Sequence, residues 1–273
     1  RDSSDMYVMF YNATMFKNQG RVTPRTLWRN KNWNWDTFLD AAKAMTSSHD
    51  PTDPQKVYGF ETPKNACFMW STGTDFASYT NDPKNPIVQN LTNPNVLKGW
   101  QLLVDLRNKY KYASGGSDVT LFTSGKCAMY AEGSWMMGPG EANPLNAMTD
   151  EWDAVPFPSP KGQEPRLAVS GKVWCIPIHS KNQLAAYYFF RYFLDSENGT
   201  GEPMSKELQQ VFDAMLDMKK TSDVTQGLMP ANDYWTLWSD IIYSADIKST
   251  LDSWVPKLEA IIEQVINEIP KPD

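Results

Sequence analysis

The chain has 273 residues and a formal net charge of −6, with 41% apolar and 21% charged residues, the balance of a globular protein and not of a disordered or fibrous one. An acidic total without a basic stripe argues against nucleic acid as a partner and against electrostatic docking on anionic lipid. No run approaches the roughly 18 uninterrupted apolar residues of a membrane span, whereas aromatics reach 13%, with 11 Trp, 12 Tyr and 12 Phe.

Met6 to Tyr11 is an apolar run of strand type, already inside a fold in progress. With Arg1 first, and neither a start Met nor a signal peptide before it, the expectation is a processed chain or one lacking an upstream piece. Asn34 is placed to cap a helix whose Trp35, Phe38, Leu39, Ala42 and Met45 follow the i, i+3, i+4, i+7 rule. The loop SSHDPTDPQK leads into a short strand, VYGFET. Asn93-Pro94 opens another helix with Val96, Leu97, Trp100, Leu103 and Val104 on one face, since proline loses no hydrogen bond in a first turn. Ser117 is the expected cap of a short helix that stops at Gly125, and Cys127 to Ala131 is the strand after it.

EWDAVPFPSPKGQEP is a strand running into a proline-rich loop, and GKVWCIPI a second buried strand. SKNQLAAYYFFRYFLDS is a helix apolar nearly all round, the pattern of a helix buried in a larger structure. Ser205 caps a helix bearing Leu208, Val211, Phe212 and Met215. Two more helices fill about 232–244 and 253–269, with Ser253 as cap so that Pro256 falls in a first turn. Short strands alternating with longer helices make an α/β chain, without internal repeat, low-complexity tract or clean linker.

Several chemistries lack their residues. Cys67, Cys127 and Cys175 are odd in number, widely spaced and each in an apolar context, which predicts buried free thiols. With His49 and His179 the only histidines, and no HExxH or CxxC, no metal centre is expected. GxGxxG, GxxxxGK[ST] and G-x-S-x-G are missing too, so no cofactor and no serine nucleophile is expected. Glycoside hydrolysis needs only two carboxylates. Glu132 and Asp75 are candidates, but with 32 acidic residues such pairs are inevitable, and solvated surface acids are the default reading.

What remains is a set of aromatics outside helical stripes and next to glycine or polar loops: Trp70, Trp135, Trp174, Tyr234 and Trp235. The apolar C–H face of a pyranose stacks on indole, while its hydroxyls take hydrogen bonds from nearby Asp, Glu, Asn and Gln. Each of these residues could instead pack a core. Their recurrence beside loops favours binding.

These segments, in order, resemble the extracellular solute-binding proteins of ABC importers, in the large sugar-binding group (family 1) that includes maltose-binding proteins. FYNATMFKNQG is similar to that family's YYNKxLFxxAG, NWNWDTFLDAAKAMT to TWDEFLxAAKKLT, and LFTSGKCAMYAEGSW to FxxGKAAMxxxGxW, the most specific match. WDAVPFPSPKG resembles WGVAPLPxxPG, SKNQLAAYYFFRYFLDS resembles SKNPEAAWEFLKFLxS, and GLMPANDYWTLWSDIIYSA resembles the stretch that carries a ligand-stacking aromatic.

The resemblance implies a two-lobed, type II periplasmic-binding-protein-like α/β fold, with the ligand in the cleft between the lobes. It assigns 1–12 to a hinge strand from the first lobe, 13–171 to the second lobe, 172–227 to a return into the first, and 228–273 to C-terminal helices of the second. The first lobe's opening βα units are absent, so the chain is expected to be a truncated or clipped protein with that lobe incomplete. The prolines of SHDPTDPQKVYGF stand where relatives carry a DxDGDG loop, so no calcium is expected there.

By the same resemblance Trp135 faces ligand, with Gly133 turning the backbone to present it. Trp70, Trp174 and Tyr234 or Trp235 add aromatic surface, Trp238 faces the core, and Asp75, Glu132 and Asn12 are polar contacts. The function implied is capture of a sugar or oligosaccharide and its delivery to the transmembrane subunits of an ABC permease. The protein would be monomeric, with no covalent chemistry, and extracellular: lipid-anchored at the outer face of the cytoplasmic membrane, or periplasmic. A glycan hydrolase or lyase using cleft carboxylates, a binder of another polar solute and a sensor partner are the alternatives.

Overall fold

The computed structural model describes residues 5–50, 52–137, 143–170, 175–197, 205–222 and 224–268. In chain order its first elements are β1 (Asp5–Asn12), α1 (Ala13–Asn18), α2 (Pro24–Arg29), α3 (Trp35–Met45), α4 (Cys67–Ser71), β2 (Ala77–Tyr79), β3 (Ile87–Gln89) and α5 (Pro94–Val104). Then come α6 (Val119–Thr123), β4 (Met129–Gly133), β5 (Trp152–Pro156), β6 (Arg166–Ser170), α7 (Gln183–Glu197) and α8 (Lys206–Leu216). The last are β7 (Lys219–Ser222), α9 (Thr225–Leu228), α10 (Ala231–Ile242) and α11 (Ile247–Glu268).

β1 is the centre of the sheet. β4 pairs with it antiparallel on one edge, from Tyr7↔Gly133 to Tyr11↔Met129, and β5 on the other, from Val8↔Pro156 to Asn12↔Trp152. The first two residues of β1 pair instead with β6, Met6 opposite Val169, and β6 continues into β7 in parallel. The strand alternates its side chains between two cores: Tyr7, Met9 and Tyr11 enter one, Val8 and Phe10 the other. A strand can be apolar on both faces only where both are covered. The expected VYGFET strand runs parallel to β4 as bridges Tyr58↔Cys127 and Glu61↔Tyr130.

Most helix starts follow from local side-chain chemistry. Asn12 Oδ1 accepts from the Met15 N–H at 2.9 Å, Asn34 and Thr37 form a capping box, and Asn93 caps α5 with Pro94 in its first turn. The cap of α6 is Asp118 and not Ser117: its carboxylate takes the Thr120 N–H at 2.8 Å, and Gly125, at φ +73, ends the helix as expected. α11 begins six residues before Ser253, because Asp246 accepts from the Ser249 N–H at 3.2 Å. Pro256 therefore lies inside the helix, on its exposed side, where water can satisfy the carbonyl that loses its partner.

Three expectations change. Of GKVWCIPI, residues 171–174 lie outside the described residues, and 175–178 are not a strand. Instead Arg166–Ser170 just before it forms β6. Cys175 is exposed rather than buried, while Cys67 and Cys127 are buried free thiols that burial pushes well above the ordinary thiol range, so both stay protonated. The α7 helix forms where expected, but Leu184, Tyr188, Phe189 and Tyr192 (75% exposed) face solvent. The polar run that becomes β7 carried no strand signal.

Two glycines set how closely elements approach. A Cβ at Gly59 would fall on the Ala42 carbonyl of α3, and one at Gly99 on the Met69 backbone of α4. Backbone cannot move aside as a side chain can, so Gly59→Ala and Gly99→Ala should each cost about 1–3 kcal/mol. For Gly99 this holds despite the roughly 1 kcal/mol that alanine gains in a helix interior. Urea denaturation should show the midpoint falling with an unchanged slope.

Candidate functional site

Trp135 lies in the 3-10 turn Ser134–Met137 just past β4, with 42% of its surface exposed. Ser134 Oγ accepts from the Met6 N–H at 3.2 Å, which ties this turn to β1. The indole folds back over Gly133, so that a Cβ at position 133 would fall among its ring carbons. Gly133 does not have a positive φ. Its role is to clear space for the ring and not, as expected, to turn the backbone.

Around the indole stand groups from three other segments. Tyr7 of β1 meets it edge-on at 5.7 Å between centroids, and Tyr7 in turn stacks on Trp70 at 5.2 Å. Lys64 Nζ is 5.1 Å from the centre of the Trp135 ring and 5.8 Å from that of Tyr7, within cation–π range of both. The same ammonium is 3.6 Å from Glu132 Oε1, which also accepts from the Gly133 N–H at 2.9 Å. Burial raises the Glu132 carboxyl, while Lys64 and that N–H pull it down. The result is a partly exposed aromatic surface with one cation and one carboxylate at its rim.

Trp70 is buried, and its indole N–H donates to Asp75 Oδ1 at 3.3 Å. Asp75 is buried as well. Its Oδ1 also takes the Phe76 N–H at 2.9 Å, and its Oδ2 takes the Val224 N–H, the Thr225 N–H and the Thr225 hydroxyl, each at 2.8 Å. This carboxylate bridges the loop after α4 to the start of α9. Burial raises its pKa and the donated hydrogen bonds oppose the rise. Asn12 is buried, with its amide committed at both ends: Oδ1 to the Met15 N–H, and Nδ2 to Asp150 Oδ2 at 2.8 Å.

On α10, Tyr234 is buried and Trp235 is 54% exposed, with centroids 5.1 Å apart, while Trp238 is buried against Trp100. Trp174 lies outside the described residues. The structure thus brings Trp135, Trp70 and Glu132 together, with Asp75 behind Trp70, and adds two residues the sequence did not single out. Lys64 sits in a TPKNA loop that matches no motif. Tyr7 is one apolar position among several in β1, and only its place opposite Gly133 marks it. Among the described residues no group of three His, Cys, Asp or Glu could hold a metal ion, and no helix is long and apolar enough to cross a membrane.

Residues 2–226 match the family model described as bacterial extracellular solute-binding protein, and the chain belongs to that family. No curated protein matches the sequence. Among solved structures, UgpB of Mycobacterium tuberculosis in complex with glycerophosphocholine is similar at 15% identity and a TM-score of 0.70, over 96% of this chain and 69% of that one. The maltose/maltodextrin-binding domain MalE of Bdellovibrio bacteriovorus, bound to maltotriose, is similar at 16% identity and 0.68, over 98% and 72%. A solute-binding protein of Thermotoga lettingae bound with α-D-tagatose is similar at 18% identity and 0.68, over 96% and 71%. The fold is therefore the two-lobed periplasmic-binding-protein-like one, with one lobe incomplete in this chain.

Asp75→Asn presents an amide N–H2 to buried donors that now share a carboxylate, which leaves at least one of them unsatisfied. Its expected cost is about 2–3 kcal/mol of stability, read as a lower urea midpoint.

Proposed function

We propose that this chain is the substrate-binding component of an ABC importer and that it captures a carbohydrate, a sugar or oligosaccharide, on a platform headed by Trp135. The observation that carries this reading is the half-exposed indole, seated on a glycine and braced by Tyr7, with Lys64 and Glu132 beside it. A pyranose face would stack on the ring, and the ammonium and carboxylate would hydrogen-bond its hydroxyls. Neighbours of the same fold hold maltotriose, tagatose and glycerophosphocholine, all polar solutes.

In this reading 1–12 is a hinge strand from the first lobe, 172–227 the return into that lobe, and 13–171 with 228–273 the second lobe. Closure around the ligand follows from its higher affinity for the closed state. The exposed aromatic face of α7 lies in the incomplete lobe. Trp235 and Trp174 would extend the platform for a longer glycan. The ligand passes intact to permease subunits, and the protein works as a monomer outside the cytoplasmic membrane, anchored there by lipid or free in a periplasm. Of the two carboxylates named for the hydrolase alternative, Asp75 is buried and saturated with donors, which favours the binding reading.

A thermal-shift screen of mono- and oligosaccharides should give at least one stabilising ligand, returned unchanged after incubation. Against it Trp135→Ala should weaken binding at least tenfold, about 1.4 kcal/mol. Gly133→Ala, which displaces the ring without removing it, should weaken it in the same direction. An affinity untouched by Trp135→Ala would sink the assignment of the site. Stabilisation by a non-carbohydrate solute alone would sink the sugar.

A further inference from the structure

A cavity of about 240 Å³ opens between Lys56 and Tyr58, the turn at 111–115 and the end of α10 at Ile242 and Tyr243. Three of its lining residues, Lys56, Arg107 and Lys111, are cations, and none is acidic. It lies away from the aromatic platform: Tyr58 pairs with Cys127, whereas Trp135 lies beyond the other end of β4.

Two of the cations are covered and lack a full set of partners. Lys56 is only 3% exposed, its ammonium is 4.8 Å from the centre of the Tyr58 ring, and it makes no salt bridge among the described residues. Arg107 is 8% exposed, donates to Asn65 Oδ1 at 2.7 Å, and keeps a buried Nε–H without an acceptor. Burial disfavours both charges. Lys111 lowers Lys56 further, while Asp50 and Asp53 partly offset this. For Arg107 the offset comes from Glu61 and Tyr243. Glu61 gives one oxygen to the Ser114 N–H, and its other oxygen is itself without a partner.

Covered cations with an open, acid-free cavity between them are stabilised by any anion that enters, because a buried charge is costly until paired. Guanidinium and ammonium groups together suit a phosphate, which offers several acceptor oxygens at once. We propose that this cavity is a second binding site that takes a phosphate group, held by Lys56 and Lys111 with the Arg107 guanidinium in its wall. Exposed Tyr243 and half-buried Tyr58 would flank whatever the phosphate is attached to.

Isothermal titration of the whole chain with inorganic phosphate, at constant ionic strength against chloride, tests this. The expected result is saturable one-to-one binding that Lys56→Gln and Lys111→Asn each weaken at least tenfold, while Lys220→Gln, an exposed lysine elsewhere, does not. Asparagine is chosen at 111 because that residue has φ +58, a conformation asparagine tolerates. A parallel arm uses co-sedimentation with phosphatidylglycerol vesicles. Retention lost in Lys56→Gln, with free phosphate silent, would support the site and put its phosphate on a lipid headgroup. Silence in both arms, or binding indifferent to both variants, would overturn the proposal.

Discussion

The arrangement depends on β1 being buried on both faces and paired on both edges. Tyr7, Met9 and Tyr11 fill one core and Val8 and Phe10 the other, and β4 and β5 close the strand from either side. An eight-residue segment therefore anchors strands that lie more than a hundred residues further along the chain. On the edge opposite β4 the same strand changes partners between Met6 and Val8, from β6 to β5.

The platform is built next to that change. Tyr7 is the first residue of β1 paired with β4, its partner is Gly133, and the indole of Trp135 lies over that glycine. Ser134 bonds to Met6, one residue before the switch. Asp75 acts on the same region from behind, joining the Trp70 indole to the backbone at 224–225, so the aromatic stack and the start of α9 share one anchor. Arg25 and Asp153 form a further tie, with the Tyr11 hydroxyl donating to Asp153 at 2.7 Å and Arg25 reaching the Glu207 carbonyl at 2.6 Å.

Much of the fold was legible because its signals are local. Asn34 before an apolar periodic run, Asn93-Pro94, Ser205 and Gly125 each act within a few residues. Where competing local signals occurred, the nearer acid prevailed: Asp118 over Ser117, and Asp246 over Ser253. Strand positions were harder to place. The exposed Cys175 and the polar β7 show why: pairing partners decide a strand, and they are distant in sequence.

The sequence by itself determined the alternation of strand and helix, the family, and the placing of a tryptophan in a glycine-flanked loop after a buried strand. Each rests on residue order within short windows. Only the tertiary structure decided which polar residues face inward as ties and which stand at a surface. Asp75 and Asn12 are consumed by buried hydrogen bonds, while Lys64 and Tyr7, with no motif to mark them, stand against the Trp135 ring. The physical reason is that a side chain's role is set by what lies within a few ångströms of it, and here those neighbours come from segments up to about 150 residues away.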